Sequence, residues 1–198
     1  MQSRTTGPYE TILVEGRAAE QLLAAADEIG ADLVVLGGRD AGETRWVLGS
    51  VAESVVTRAK MPVLVARNYK GSGGIVAATD FSEPSLPAVR AGHALSRALG
   101  QKVTLVHCMP KGTSDADVAA ARARLHEICE LSPEDDEARV VLGPPAESLV
   151  SVADEVDASI VVVASSGKSG LQRFRLGSVA ESVVRSARCS VLVVRLRD

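Results

Sequence analysis

The residues with the clearest chemical potential lie in one loop, Ala164-Ser165-Ser166-Gly167-Lys168-Ser169-Gly170, which closes at Gly177-Ser178. Glycines let the main chain come close to a guest, and a helix starting at 177–178 would offer amide N–H groups that have no intrahelical acceptor. That combination suits an anion such as phosphate. Lys168, Arg173 and Arg175 add positive charge to the same stretch. A second set, Thr79-Asp80-Phe81-Ser82-Glu83, brings a carboxylate able to hold a ribose hydroxyl or a metal-bound water. A third, His107-Cys108-Met109, follows an apolar run. Each set also has a purely structural explanation. Ser178-Val179-Ala180-Glu181 and Ser50-Val51-Ala52-Glu53 both spell a capping box, so these hydroxyls could serve their own helices. Asp80 could cap the helix after it, Gly170 and Gly177 could be turn residues, and the three cations could form a solvated face.

Spacing excludes several other chemistries. Gly167-Lys168-Ser169 resembles the end of a P-loop, but the first glycine would fall on Val162. His93, His107 and His126 have no metal-ligand spacing among themselves or with Cys108, Cys129 and Cys189, so no metal site is assigned. There is no GxSxG elbow and no HxGH-type histidine pair, and no catalytic residue is assigned. No general base stands beside the loop, so hydrolysis of a bound phosphate compound is expected to be weak at most. With 22 basic and 25 acidic residues the net charge is −3, and aromatics are 3% of the chain. Both figures argue against a nucleic-acid partner. Three widely spaced cysteines fit a reducing compartment, the first ten residues carry no signal core, and no apolar run could cross a bilayer. The expectation is a cytoplasmic protein with no membrane partner.

The elements that must position these loops are written in a repeat. Leu48-Gly-Ser-Val-Ala-Glu-Ser-Val-Val56 recurs without change at 176–184, an offset of 128. Upstream, Glu15-Gly16 to Glu20 answers Leu142-Gly143 to Glu147 at an offset of 127, so the first copy has lost one residue between its strand at 33–36 and Gly49. The second copy reaches back to about Ile75, whereas the first has only the matching second half. The organisation expected is an N-terminal tail (1–10), a partial unit (11–69), a Gly/Ser linker (70–74) and a complete unit (75–198).

In the complete unit, periodicity predicts strands at 75–79, 103–108, 139–142, 159–164 and 190–195. Helices are predicted at 82–99, 115–131, 144–156 and 179–187, the first capped by Ser82. Strand and helix alternate, and the strands are continuous apolar runs, which points to a parallel sheet covered on both faces. The partial unit would add three strands and two helices. Its first strand would lack its usual neighbour. It would move beside the next strand, or be covered by another chain, or Met1 would not be the biological start; oligomerisation is expected.

Ala78-Thr79-Asp80-Phe81-Ser82-Glu83, Leu105-Val106-His107-Cys108 and the Gly-Ser-Val-Ala-Glu-Ser-Val-Val segment, in this order, resemble the universal stress protein family. The resemblance covers nearly the whole chain after residue 10. It implies an α/β fold: an open parallel five-stranded sheet in order 3-2-1-4-5, adenine nucleotide alpha-hydrolase-like, with flanking helices. It also implies pairing through the last strand of each unit, both between the two copies and in a homo-oligomer.

One branch of the family binds ATP with Gly-x2-Gly-x9-Gly-Ser/Thr, which falls here on Ala164, Gly167, Gly177 and Ser178. The site so implied comprises Ala78, Thr79, Asp80, Cys108, Val163, Ala164, Gly167, Gly177, Ser178 and Val179. Asp80 would face the ribose or adenine, the Cys108 backbone the adenine edge, and Gly167, Gly177 and Ser178 the phosphates. Ala164 replaces a glycine; it costs little at negative φ but ~1–2 kcal/mol in the left-handed region. In the partial unit Asp40 stands where the second glycine should be, and that unit is expected to bind no nucleotide. The function implied is a stress-response sensor or switch that binds ATP or another adenine nucleotide, with Mg²⁺ accompanying it. The alternative is a scaffold that binds no nucleotide and works by pairing.

Overall fold

A computed structural model describes residues 8–40, 46–68, 73–129, 137–167 and 176–195. Lys168, Gly170, Arg173, Arg175 and positions 70–72 of the expected linker lie outside the described residues. In chain order the elements are α1 (Ala18–Glu28), β1 (Val34–Gly37), β2 (Arg39–Asp40), β3 (Trp46–Val47), α2 (Ser50–Arg58), β4 (Val63–Ala66) and β5 (Ile75–Ala78). They continue with α3 (Leu86–Leu99), β6 (Val103–Met109), α4 (Asp115–Cys129), β7 (Glu137–Leu142), α5 (Pro145–Glu155), β8 (Ile160–Ala164), α6 (Ser178–Ser186) and β9 (Ser190–Val194).

Seven strands form one sheet in the order β1-β4-β9-β8-β5-β6-β7. The five strands of the second copy stand as third, second, first, fourth and fifth, the expected order, and every pair among them is parallel. Valine dominates these strands because its branched side chain suits a pleated surface buried on both sides. Successive residues feed opposite layers. Val161 and Val163 of β8 enter a cluster with Val76, Leu149 and Val183. Val162, between them, joins Ile75, Ala88, Leu105 and Leu125 on the other face.

The two copies meet through β4 and β9, which pair antiparallel with Val63 opposite Val193, Leu64 opposite Leu192 and Val65 opposite Val191. The centre of this register, Leu64 with Leu192, joins residues that are equivalent in the repeat. The copies are thus related by a pseudo-two-fold axis through that pair, as expected for last-strand pairing. One expectation needs correction. β4 already has β1 and β9 as neighbours, and β9 has β4 and β8. Neither last strand keeps a free edge, so a homo-oligomer cannot form through them.

Two local expectations are also overturned. Residues 12–15, the counterparts at the offset of 127 of the strand predicted at 139–142, form no strand. Their counterpart β7 is held by six residue pairs to β6, and the first copy has no equivalent of β6. Helix 82–99 is instead a 3₁₀ turn, Glu83–Ser85, followed by α3; Ser82 stands at its start but makes no side-chain cap. The first copy also gains a hairpin: Asp40, at the position of the second loop glycine, pairs with Trp46.

Candidate functional site

The C-terminal ends of β5, β6 and β8 and the N-terminal end of α6 surround a cavity of about 340 Å³. An open parallel sheet places its ligands beyond these strand ends, where neighbouring connections leave in opposite directions. The volume falls within the range of small-molecule sites, roughly 300–1,000 Å³. All ten residues singled out from the sequence line it: Ala78, Thr79, Asp80, Cys108, Val163, Ala164, Gly167, Gly177, Ser178 and Val179.

The wall at the end of β5 is a tightly bonded turn. Thr79 is buried; its hydroxyl lies 2.8 Å from the Ser85 hydroxyl and accepts the Phe81 amide at 3.0 Å. Phe81 takes a positive φ of 65°, which costs a side chain with a β-carbon about 1–2 kcal/mol. The ring is held in compensation, stacked on His107 at 4.0 Å between centroids and covered by the Arg124 guanidinium at 4.7 Å. His107 Nδ1 lies 2.9 Å from the Thr79 carbonyl, and because a carbonyl only accepts, Nδ1 carries the proton. The turn fixes Asp80 in the cavity wall, with Oδ1 accepting the Ser82 amide at 3.0 Å and the Ser82 hydroxyl. The helix-capping explanation of Asp80 is therefore met in part, as a local turn, while the side chain still borders the cavity.

Across the cavity, Gly167 is the position where main chain and Asp80 come closest. A β-carbon there would run into the Asp80 carboxylate. Gly177 is similarly confined: its amide donates to Ser165 O at 2.7 Å, and an added β-carbon would lie 3.2 Å from that oxygen. The capping-box explanation fails here. Helix α6 is preceded by Gly177, not Ser178, and no side chain caps it; α2 behaves identically behind Gly49. The hydroxyl of Ser178 is not spent on its helix, and the first amides of α6 remain at the cavity wall as donors for negative charge.

Ala164 closes β8 at negative φ, since Phe81 and Asp157 are the non-glycine residues with positive φ among those described. The methyl group therefore brings no backbone strain. Cys108 lines the rim, half-buried, its thiol 3.8 Å from Pro145 O, and burial pushes its pKa up to about 11. It is a neutral apolar wall at physiological pH and not a nucleophile.

Six further lining residues were not among the ten assigned to the site from the sequence: Ser85, Val106, Pro145, Leu149, Ser166 and Ala180. Ser166 and Ala180 flank chosen residues and adjacency alone could have found them. Pro145 and Leu149 come from α5, which the loop pattern does not mention. Among the described residues no group of three His, Cys, Asp or Glu side chains could hold a metal ion. No helix among them is long and apolar enough to cross a membrane.

Fold and cavity together define an α/β protein of the open parallel-sheet class with a cavity at the switch in strand order. Residues 2–67 and 73–195 match the model of the universal stress protein family, and the chain belongs to that family. A universal stress protein of Methanocaldococcus jannaschii is 47% identical over 53 residues, 27% of this chain and 31% of that one. The match thus spans about a third of that relative's length. The fold is also that of a universal stress protein from Archaeoglobus fulgidus, with a TM-score of 0.74 and 22% identity over 91% of this chain and 67% of that one. A universal stress protein solved in complex with cAMP is 27% identical, with a TM-score of 0.52 over 64% of this chain and 99% of that one. Another from Archaeoglobus fulgidus, in complex with dAMP, is 28% identical with a TM-score of 0.51 over 63% and 99%.

Proposed function

We propose that the cavity of the second copy binds an adenine nucleotide, ATP included, and that binding makes this protein a stress-response sensor or switch in the cytoplasm. The observation that carries it is the convergence of three strand ends and the uncapped α6 N-terminus on one cavity. Phosphates would lie against the amides of Ser178 and Val179, the ribose against Asp80, and the base against the apolar wall formed by Ala78, Val106, Cys108 and Leu149. That two relatives are solved with cAMP and dAMP supports an adenine nucleotide over other anions. Mg²⁺ would arrive with the nucleotide, held by phosphate oxygens and water, as magnesium commonly is at phosphate sites.

The first copy is assigned no nucleotide. Residues 11–69 are taken as the partial unit and 75–198 as the complete one; in the former, Gly37 and Gly49, the counterparts of Ala164 and Gly177, face no equivalent of Asp80 or Cys108 among the described residues. A β-carbon at Gly37 would meet open space.

Calorimetric titration of ATP and AMP into the purified chain tests the assignment. Saturable 1:1 binding that is lost in Gly167→Asp is expected, because a second carboxylate would then crowd Asp80. Identical titrations for the two proteins would remove the site and leave the scaffold alternative.

A further inference from the structure

Helix α6 reaches from the cavity to the junction of the two copies. Its first three residues, Ser178, Val179 and Ala180, line the cavity. Its last turn lies against the first copy, where the Arg67 guanidinium donates to the carbonyls of Val184 and Ala187, and to that of Cys189 at 3.3 Å. With nine residues, the helix spans roughly 13 Å between these ends.

The two ends are held from different copies. At the N-terminal end the Gly177 amide donates to Ser165 O at 2.7 Å, and the Ser165 amide to Val194 O at 2.8 Å, all within the second copy. At the C-terminal end the donor comes from the first. Arg67 directly follows β4, is buried, and its own amide donates to the Ser190 hydroxyl at 3.1 Å. The backbone that carries the guanidinium is therefore fixed as well. Arg185, the basic residue in the last turn of α6, turns instead to Glu53 of α2 at 2.5 Å and to Glu181 at 3.3 Å. A helix this short moves as one body, so a shift at its last carbonyls is passed to the amides of Ser178 and Val179. Those amides serve a phosphate oxygen only within a narrow range of distance and angle, and N–H···O bonds weaken steeply outside it.

We propose that Arg67 is a positioning residue for the nucleotide site: through it the first copy sets the placement of the α6 amides that receive phosphate in the second. The inference rests on the nucleotide reading of the cavity and adds to it a dependence of phosphate affinity on the junction between the copies. The pseudo-two-fold axis supplies a control. Arg195 makes the equivalent contact with Val56 and Thr57 at the end of α2, which belongs to the copy assigned no nucleotide. If the arginines only join the copies, neither acts selectively on phosphate. If Arg67 positions α6, its loss is felt by phosphate and not by the base, which lies against β5, β6 and α5.

Calorimetric titration of ATP and of adenosine into the full chain and its variants tests this. Arg67→Ala should weaken ATP roughly tenfold, the scale of one lost hydrogen bond to a charged group, while adenosine stays within about twofold. Arg195→Ala should leave both ligands within about twofold, because α2 is remote from the cavity. Thermal melts establish that each variant is folded at the titration temperature. Where Arg67→Ala is not, Arg67→Lys, which keeps the charge without the fork, is read in its place and should weaken ATP alone. Unchanged ATP affinity in the folded Arg67 variant, equal losses for ATP and adenosine, or an equal loss in Arg195→Ala would overturn the proposal and leave the nucleotide site standing. A parent chain that binds no ATP would remove the nucleotide reading itself, and this inference with it.

Discussion

Arg67 and Arg195 occupy the same place in the two sequence copies, and each binds the other copy's helix. Arg67 donates to the carbonyls of Val184 and Ala187 at the end of α6. Arg195 donates to those of Val56 at 2.9 Å and Thr57 at 2.7 Å, at the end of α2. Val184 and Val56 are themselves equivalent. The exchange satisfies carbonyls that a helix terminus leaves over and sets a cation against the negative end of each dipole. Burial pulls both guanidinium groups below their ordinary pKa.

The two arginines should differ in weight. Arg67 is 8% exposed and Arg195 is only partly buried. Arg67→Ala leaves buried carbonyls without a donor and should destabilise by about 2–3 kcal/mol, and Arg195→Ala by about 1 kcal/mol. Urea unfolding followed by circular dichroism measures both. Equal small losses would mean that β4–β9 pairing alone joins the copies.

Gly177 tests the phosphate end of the cavity. Gly177→Val adds a branched side chain where even one β-carbon would press on Ser165 O at 3.2 Å. Nucleotide affinity should fall at least roughly tenfold, an energy of about 1.4 kcal/mol. Calorimetry beside a thermal melt separates lost binding from lost folding.

Ala164 should prove neutral for ligand binding. Because it lies at negative φ, Ala164→Gly relieves no strain, and ATP affinity is expected to stay within about twofold. The glycine should instead lower stability by about 0.5–1 kcal/mol through its extra unfolded-state freedom. A large gain in affinity would show that the methyl group obstructs the nucleotide.

Phe81 holds its left-handed turn through two contacts of its ring, with His107 and with Arg124. Phe81→Gly removes about 1–2 kcal/mol of strain but also the His107 stack and the Arg124 contact. Net destabilisation with weaker nucleotide binding is expected, since the turn that positions Asp80 loosens. A variant more stable than the parent would show that strain dominates.

Alkaline pH should unfold the protein through its thiols. Burial raises Cys189 from 9.0 to about 11, and Cys108 likewise. A thiol whose folded pKa lies above its unfolded one contributes stability that is complete below pH 9 and is lost as the pH rises through about 11. The urea midpoint should therefore drop between pH 9 and 11, and Cys189→Ala should flatten that drop.

Much of this was legible in the chain itself. The nine-residue repeat and the alternation of valine-rich runs with amphipathic helices sufficed for a parallel α/β sheet, the loop glycines marked one wall of the cavity, and the resemblance to a family supplied the sheet order and the ten expected site residues, ten of the sixteen that line the cavity. These signals are local, because a buried strand needs apolar side chains on both faces and a loop near an anion needs small ones.

Tertiary structure decided what depends on neighbours. Residues 12–15 answer a strand of the second copy but form none, since a strand exists through the hydrogen bonds of a partner that this copy lacks. Ser178 spells a cap, yet Gly177 takes the capping position, because its amide is drawn to Ser165 O from another segment. The last strands satisfy each other inside one chain, so the open edge moves to β1. Which edges are filled is a property of three-dimensional pairing, and no residue along β1 announces it.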